Sequence, residues 1–503
     1  MFYGALFSLT CTVTSQQIIT WAGVAPWSQC CGNAQHTALS VYPAQSLGSI
    51  RWSAPVDLNP QYSGNDLLIH YGSPLISRAG TIITSIKTGA TDNFEFRAYG
   101  PDGSVRWTET TDYMLPSHNW TPSCGGAIVF GNTYVAMPGA GGTILLRYSP
   151  DAVSARVDRN AFYGTDVYNG NVSDYNSKAK ICSPLATAPG GNVYFGFRTS
   201  GTTGAGLHSG IARCLPWVSG GTWVSASTAA GDSGIKVPVM NCAPAITRNG
   251  RYVYAAVSSG SGGYGYLLKL DAKTLATIAK VRLKDPDGND ASLSDAGTAS
   301  PMIGPDGDVY FGVLENPSRY NHSRGWMLHF DSTLTVQKPT GAFGWDDTAS
   351  VVPAWCVPSY LGTSSYLILT KYNNYAGAGG DGVNKVAVLD PNDTQVDLVT
   401  GTTVMKEVLT VKGVTPDAQF TGTHPDAVRE WCINSVAIDP FNRCAMVNSE
   451  DGTCYRWNFV TNTLDQALAL TTGIGEAYTP TVIGADGAVY AISNATVYSL
   501  VSP

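Results

Sequence analysis

The sequence predicts an all-β chain built from repeated four-strand units and closed into a ring. Three observations carry this. The first is a phrase that recurs. Residues 298–313 read TASPMIGPDGDVYFGV, and residues 478–493 read YTPTVIGADGAVYAIS. Looser copies start at Cys182 (CSPLATAPGGNVYFGF), Cys242 (CAPAITRNGRYVYAA) and Gly72 (GSPLISRAGTIITS). Self-similarity along a chain outranks any local signal. The second is composition: 55 glycines in 503 residues, with 13% charged and 10% aromatic residues, fit short strands joined by tight turns. The third is a mismatch at the two ends. The last copy has sequence for only three strands, while GSIRWS at 48–53 is a strand with no neighbour. Its twin, GSVRWT at 103–108, ends the first repeat.

In chain order, residues 1–22 read as a leader or arm. They are mildly apolar, and the first 50 residues hold no Lys or Arg, so a basic leader start is missing. Residues 23–48 form a segment before the repeats, and 49–503 a single ring domain. The repeats begin near Ser73, Cys124, Ser183, Ala243, Ser300, Val357, Ser435 and Thr479. Inside each, apolar residues on both strand faces suit a sheet sandwiched between neighbours. Pro-Asp-Gly supplies the turn, because Gly accepts positive φ and Asp bonds its own backbone. Third strands end in turns such as LLKLDAKT from Leu267 and VAVLDPND from Val386. Four strands per repeat make a propeller blade, so the expectation is an eight-bladed β-propeller, with seven blades as the alternative. The strand at 49–53 completes the last blade and removes the free edges.

The net charge is −7, with Lys and Arg dispersed, which makes nucleic acid and anionic membrane poor partners, and no nucleic acid is expected. No run of 18 apolar residues predicts a membrane span. Low Lys content and richness in Asn, Thr, Ser and Gly favour an extracytoplasmic location, periplasmic or secreted. Eleven cysteines leave one over in any full disulfide set, and the pairing is open.

At this point the repeats resemble those of the quinoprotein-dehydrogenase-like propellers. The shared unit is S-P-x-(I/V)-x-x-D-G-x-V-Y followed by L-D-x-x-T, and the similarity spans roughly 27–503. Trp27-Ser-Gln-Cys-Cys-Gly-Asn-Ala-Gln-His36-Thr is similar to the segment that precedes the first blade in that superfamily. The resemblance implies the fold. It makes pyrroloquinoline quinone (PQQ) a cofactor to test, with Ca²⁺ raised separately by the Asp285 loop below. The family's enzymes use a vicinal Cys-Cys near the quinone, whereas Cys30-Cys31 stands in the segment before the blades rather than within the propeller. Those enzymes also carry a docking Trp in most blades. Here only Trp107 and, through ring closure, Trp52 hold that position, so the chain resembles the non-enzymatic members more closely.

The spacing aligns two sets of candidates. Just before the repeat anchors stand His70, His118, Asn119, Trp120, Lys178, Lys180, Asp295, Trp355, Glu430 and Glu476. These positions cross from one blade to the next and are expected to converge on one face around the channel mouth, a concave site for a ligand or partner. Histidines and acids there suit acid–base or metal chemistry. Cys182, Cys242 and Cys356 share a slot, with Cys124 and Cys432 nearby, as candidate soft-metal ligands. Asp285 and Asp287 alternate as in calcium loops, with Ala296 where the twelfth ligand would stand. The glycine-rich loop after Lys371 is a candidate lid. No nucleophile elbow, P-loop, zinc-helix motif or CxxC pair occurs. The favoured function is a binding or scaffold propeller that uses the channel-mouth face. The alternative is a quinone- or metal-dependent oxidoreductase or lyase with its site there.

Overall fold

The computed structural model describes residues 25–64, 66–473 and 480–503. The candidate leader 1–22, Cys11 and Glu476 lie outside the described residues. The chain is an all-β propeller of consecutive antiparallel four-strand units, each running from the channel outwards. The first comprises Leu75–Ile76, Ile82–Lys87, Phe94–Tyr99 and Val105–Thr111. The units that follow open on Ala127–Val129, Ala186–Thr187, Ala245–Ile246, Met302–Ile303, Ser350–Pro353, Ala437–Asp439 and Val482–Ile483. Two neighbouring units share one sheet through a single parallel pairing, Thr340 with Val404. The strand Ser49–Pro55 pairs antiparallel with Thr496–Val501, from Ser49↔Val501 to Pro55↔Thr496.

The sixth unit begins earlier than the spacing predicts. Its inner strand is Ser350–Pro353, not a strand from Val357. Thr348-Ala-Ser copies Thr298-Ala-Ser, but Val351 stands where the other copy has Pro301. The Cys356-Val-Pro that follows imitates the missing signal.

Neighbouring units are stitched by aromatic side chains. Trp52 Nε1 donates to the Pro101 carbonyl at 2.9 Å, and Trp107 Nε1 to that of Pro150 at 2.7 Å. Further round the ring the Tyr of the V-Y motif takes this role. Tyr194 Oη donates to the Ala272 carbonyl at 2.7 Å, and Tyr254 Oη to that of Ser332 at 2.6 Å. The docking groups therefore change type rather than vanish. Trp52 lies so close over Gly103 (φ +83°) that a Cβ there would come within 2.6 Å of the indole. Only glycine meets both the conformation and the approach.

Inner strands are short, and their channel-end N–H groups need partners. Residues 27–45 supply them by winding once past the units in chain order. Ile76 N donates to the Trp27 carbonyl (2.8 Å), Ile128 N to Ser28 (2.7 Å) and Ile246 N to Ala34 (2.6 Å). Thr187 N donates to Gln29 Oε1 at 2.5 Å. Ile303 N donates to Gln35, Val351 N to Thr37 and Ile438 N to Ala38, each at 2.9 Å, and Gln45 N donates to Gly487 at 2.8 Å. The winding uses left-handed backbone at Cys31, His36 and Ala38. Trp27 and His36 are fully buried. This plug forms the floor of the channel.

Candidate channel-mouth site

The crossing segments precede the inner strands, so they lie at the end opposite the floor. His70, 1% exposed, shares a hydrogen bond of 2.8 Å through Nε2 with the Ala296 carbonyl, although Ala296 leads into the fifth unit and His70 into the first. The 294–297 loop thus reaches over the mouth. Arg198 grips it by donating to both Asp295 oxygens at 2.7 and 2.8 Å. Asn241 Nδ2 donates to the Gly297 carbonyl at 3.2 Å. Trp120 stacks on His70 with ring centroids 5.3 Å apart.

A buried charged cluster continues the rim. Asp346 Oδ1 accepts from Thr298 N at 2.6 Å and from the Thr298 hydroxyl at 2.5 Å, and Asp346 Oδ2 lies 3.8 Å from Lys371 Nζ. Asp347 Oδ2 accepts from Lys371 N at 3.1 Å. Burial pushes the Asp347 carboxyl up to about 8, against the pull of Lys371. Glu430 is also pushed up to about 8, by burial and then by the Glu450 carboxylate beside it. Carboxyls that hold a proton near neutrality can donate one.

Several sequence candidates stand elsewhere. Trp355 is 54% exposed and follows the inner strand of its unit, so it sits at the floor end, with Arg443 over its ring. Asp346 and Asp347 occupy the position assigned to it; the Thr-Ala-Ser copy was the available signal. Lys178 is held by Asp174 at 2.5 Å and the Thr202 carbonyl at 2.7 Å, both of its own unit. Lys180 lies opposite Arg198 in the strand register. His118 bonds the Pro116 carbonyl of its own loop at 2.7 Å, and Asn119 is exposed. His70, Trp120, Asp295 and Glu430 are at the mouth. Arg198 was missed because it lies on a second strand, outside the aligned slot.

The cysteine slot does not line the channel. Cys182 packs towards Gly196 and Pro238, and burial pushes it and Cys242 up to about 12, far from thiolate chemistry. Cys356 is buried beside the Pro440 carbonyl at the floor end. The ten described cysteines are all free thiols, which removes the expected disulfides from that set. Asp285 Oδ1 is occupied by its own turn, accepting from Asn289 N at 2.8 Å and Asp287 N at 3.1 Å, so Asp285 and Asp287 form a plain turn. Among the described residues no three of His, Cys, Asp and Glu gather at metal-binding distance.

Between floor and mouth lies a cavity of about 20 Å³, lined by Cys30, Cys31, Ser123, Asn241, Thr298 and Thr348 among others. That is room for a water. The cavity's lining is thiols, hydroxyls, amides and backbone with no Lys or Arg, so nothing there pairs with the three carboxylates of PQQ, and the residues present do not fit that group. The loop after Lys371 is tied down, with Gly382 N donating to the Asn374 carbonyl at 2.8 Å and Asn374 Oδ1 2.7 Å from His322 Nδ1.

No protein-family model matches the chain, and no curated protein does. Among solved structures, the chain is similar to a europium-containing methanol dehydrogenase at 10% identity and TM-score 0.55, over 92% of this chain and 89% of that one. It is similar to Sqt1 of Saccharomyces cerevisiae at 9% identity and TM-score 0.52, over 92% of this chain and all of that one. Identities this low show the fold, a β-propeller, and no more.

Proposed function

We propose that this chain is a binding or scaffold propeller that takes a ligand or protein partner on its channel-mouth face, outside the channel. One observation carries the reading: the chain's own groups fill both channel ends and leave about 20 Å³ between them. Recognition then falls to the face, where the His70–Trp120 stack and half-buried Glu430 offer aromatic and carboxyl contacts. We also infer eight blades, supported by the succession of four-strand units and by the floor segment's bonds to each in turn. The extracytoplasmic location rests on composition. A lyase-like reading is favoured by Glu430, whose carboxyl burial and neighbouring Glu450 push up to about 8.

The test is capture from cell-envelope and secreted fractions on immobilised full-length protein. A partner retained by wild type and by Trp355→Ala, and lost from Trp120→Ala, supports the mouth face. Loss from Trp355→Ala alone, or a quinone chromophore in the absorption spectrum of the purified protein, overturns it. Fractionation decides the location.

A further inference from the structure

The two thiols on the channel floor are arranged for a use that the fold does not need. In extended backbone, successive side chains point to opposite faces. Here the turn at 28–32 prevents that. Ser28 N donates to the Gly32 carbonyl at 2.9 Å and Gly32 N to the Gln29 carbonyl at 3.0 Å. Cys31 takes φ +52°, a conformation that carries a steric penalty in a non-glycine residue. Both sulfurs therefore face the same way, with Sγ–Sγ at 3.5 Å, and both line the cavity. Cys30 keeps exposed surface while Cys31 is buried.

The separation selects the chemistry. A disulfide would hold the sulfurs at about 2.05 Å, so the pair here is in its dithiol state. A linear ion bound by two sulfurs, at about 2.3 Å each, needs about 4.6 Å. At 3.5 Å, and with the same bond length, the sulfurs subtend about 100° at a shared atom. A tetrahedral metal would require two further ligands, and no third His, Cys, Asp or Glu joins the pair among the described residues. A pyramidal trivalent centre needs two thiols and one small ligand of its own, such as hydroxide.

We propose that Cys30 and Cys31 form a chelating site for trivalent thiophilic oxyacids of the arsenous class. As(OH)₃ reacts with the two thiols to give a cyclic dithioarsinous product and two waters. Two As–S bonds form, two As–O and two S–H bonds break, and each proton leaves with a hydroxide. Arsenic stays trivalent, so no oxidant or reductant enters. The first attack falls to Cys31, whose thiol is held below its usual range by its contact with the Cys30 thiol, against the effect of burial. The site is independent of any partner on the mouth face.

The test uses reduced, full-length protein and arsenite. After desalting, wild type and Cys182→Ser retain one arsenic per chain, and Cys30→Ser and Cys31→Ser retain none. X-ray absorption of the wild-type adduct shows two As–S bonds and one As–O bond. At arsenite about ten times its Kd, alkylation of Cys30 by iodoacetamide slows about tenfold, which needs no variant to fold. The proposal is overturned if wild type retains no arsenic, if both single variants retain it, if three sulfurs surround it, or if Cys30 is alkylated at an unchanged rate.

Discussion

The two ends of the channel are closed by different means. The floor is one continuous segment, residues 27–45, meeting the units through hydrogen bonds that are mostly backbone to backbone. The mouth is assembled from side chains that belong to separate units: His70 on Ala296, Arg198 on Asp295, Asp346 on Thr298. Backbone bonding tolerates many sequences but requires the segment to be present. Side-chain pairing requires particular residues and fails one pair at a time. The floor is therefore the part the ring depends on, and the mouth the part that can specialise.

The largest effect expected is from removing residues 1–55. The edge of Thr496–Val501 and the channel ends of the inner strands would lose their partners together. The truncated chain should be insoluble or melt without cooperativity. A soluble chain with a sharp calorimetric transition would break the contrast. Next, Trp27→Ala empties a fully buried indole and should cost about 4 kcal/mol in urea unfolding.

Acid and base should separate the two ends by sign. Burial lowers His36 on the floor from 6.5 to about 4. The unfolded chain takes up that proton first as pH falls, so stability drops between pH 6.5 and 4, by about 3 kcal/mol in total. His36→Gln should abolish that drop. Glu430 at the mouth is raised from 4.5 to about 8. The unfolded chain loses that proton first as pH rises, so stability drops between pH 4.5 and 8, and Glu430→Gln should flatten the alkaline side. The two windows overlap between pH 4.5 and 6.5, so melting curves from pH 4 to 9 are read as wild type minus each variant, and difference slopes of the same sign for His36→Gln and Glu430→Gln would contradict the assignment.

A smaller effect is expected for Arg198→Ala, about 2 kcal/mol for a charged pair that is mostly buried. Its signature is faster hydrogen exchange confined to residues 294–297. Trp120→Ala should be the mildest, below about 1 kcal/mol, since its stack on His70 is half-buried.

The repeat and the partner of the early strand were legible because alternation, Asp-Gly turns and an unmatched strand are local patterns. The sixth inner strand was misplaced because Cys356-Val-Pro imitates a repeat start better than the true one does. At the mouth, His70, Trp120, Asp295 and Glu430 could be aligned by the repeat. Their partners could not: Arg198 comes from a second strand, and Asp346 was hidden by the shifted register. The floor segment was noticed as WSQCCGNAQHT, yet nothing in its residue types announces a chain that visits one unit after another.

That segment has a consequence for how the protein is made. It is synthesised before the repeats, and the last unit's Gly487, which Gln45 N bonds, lies 442 positions after Gln45. Contacts so distant in sequence are slow to form. On the ribosome the floor must wait, with Trp27 uncovered, until nearly the whole chain has emerged, so each unit folds against its neighbour before the ring is locked. The rate of final locking should follow completion of the chain, and a pulse-labelled nascent chain stalled before residue 480 should remain open to protease at 25–55.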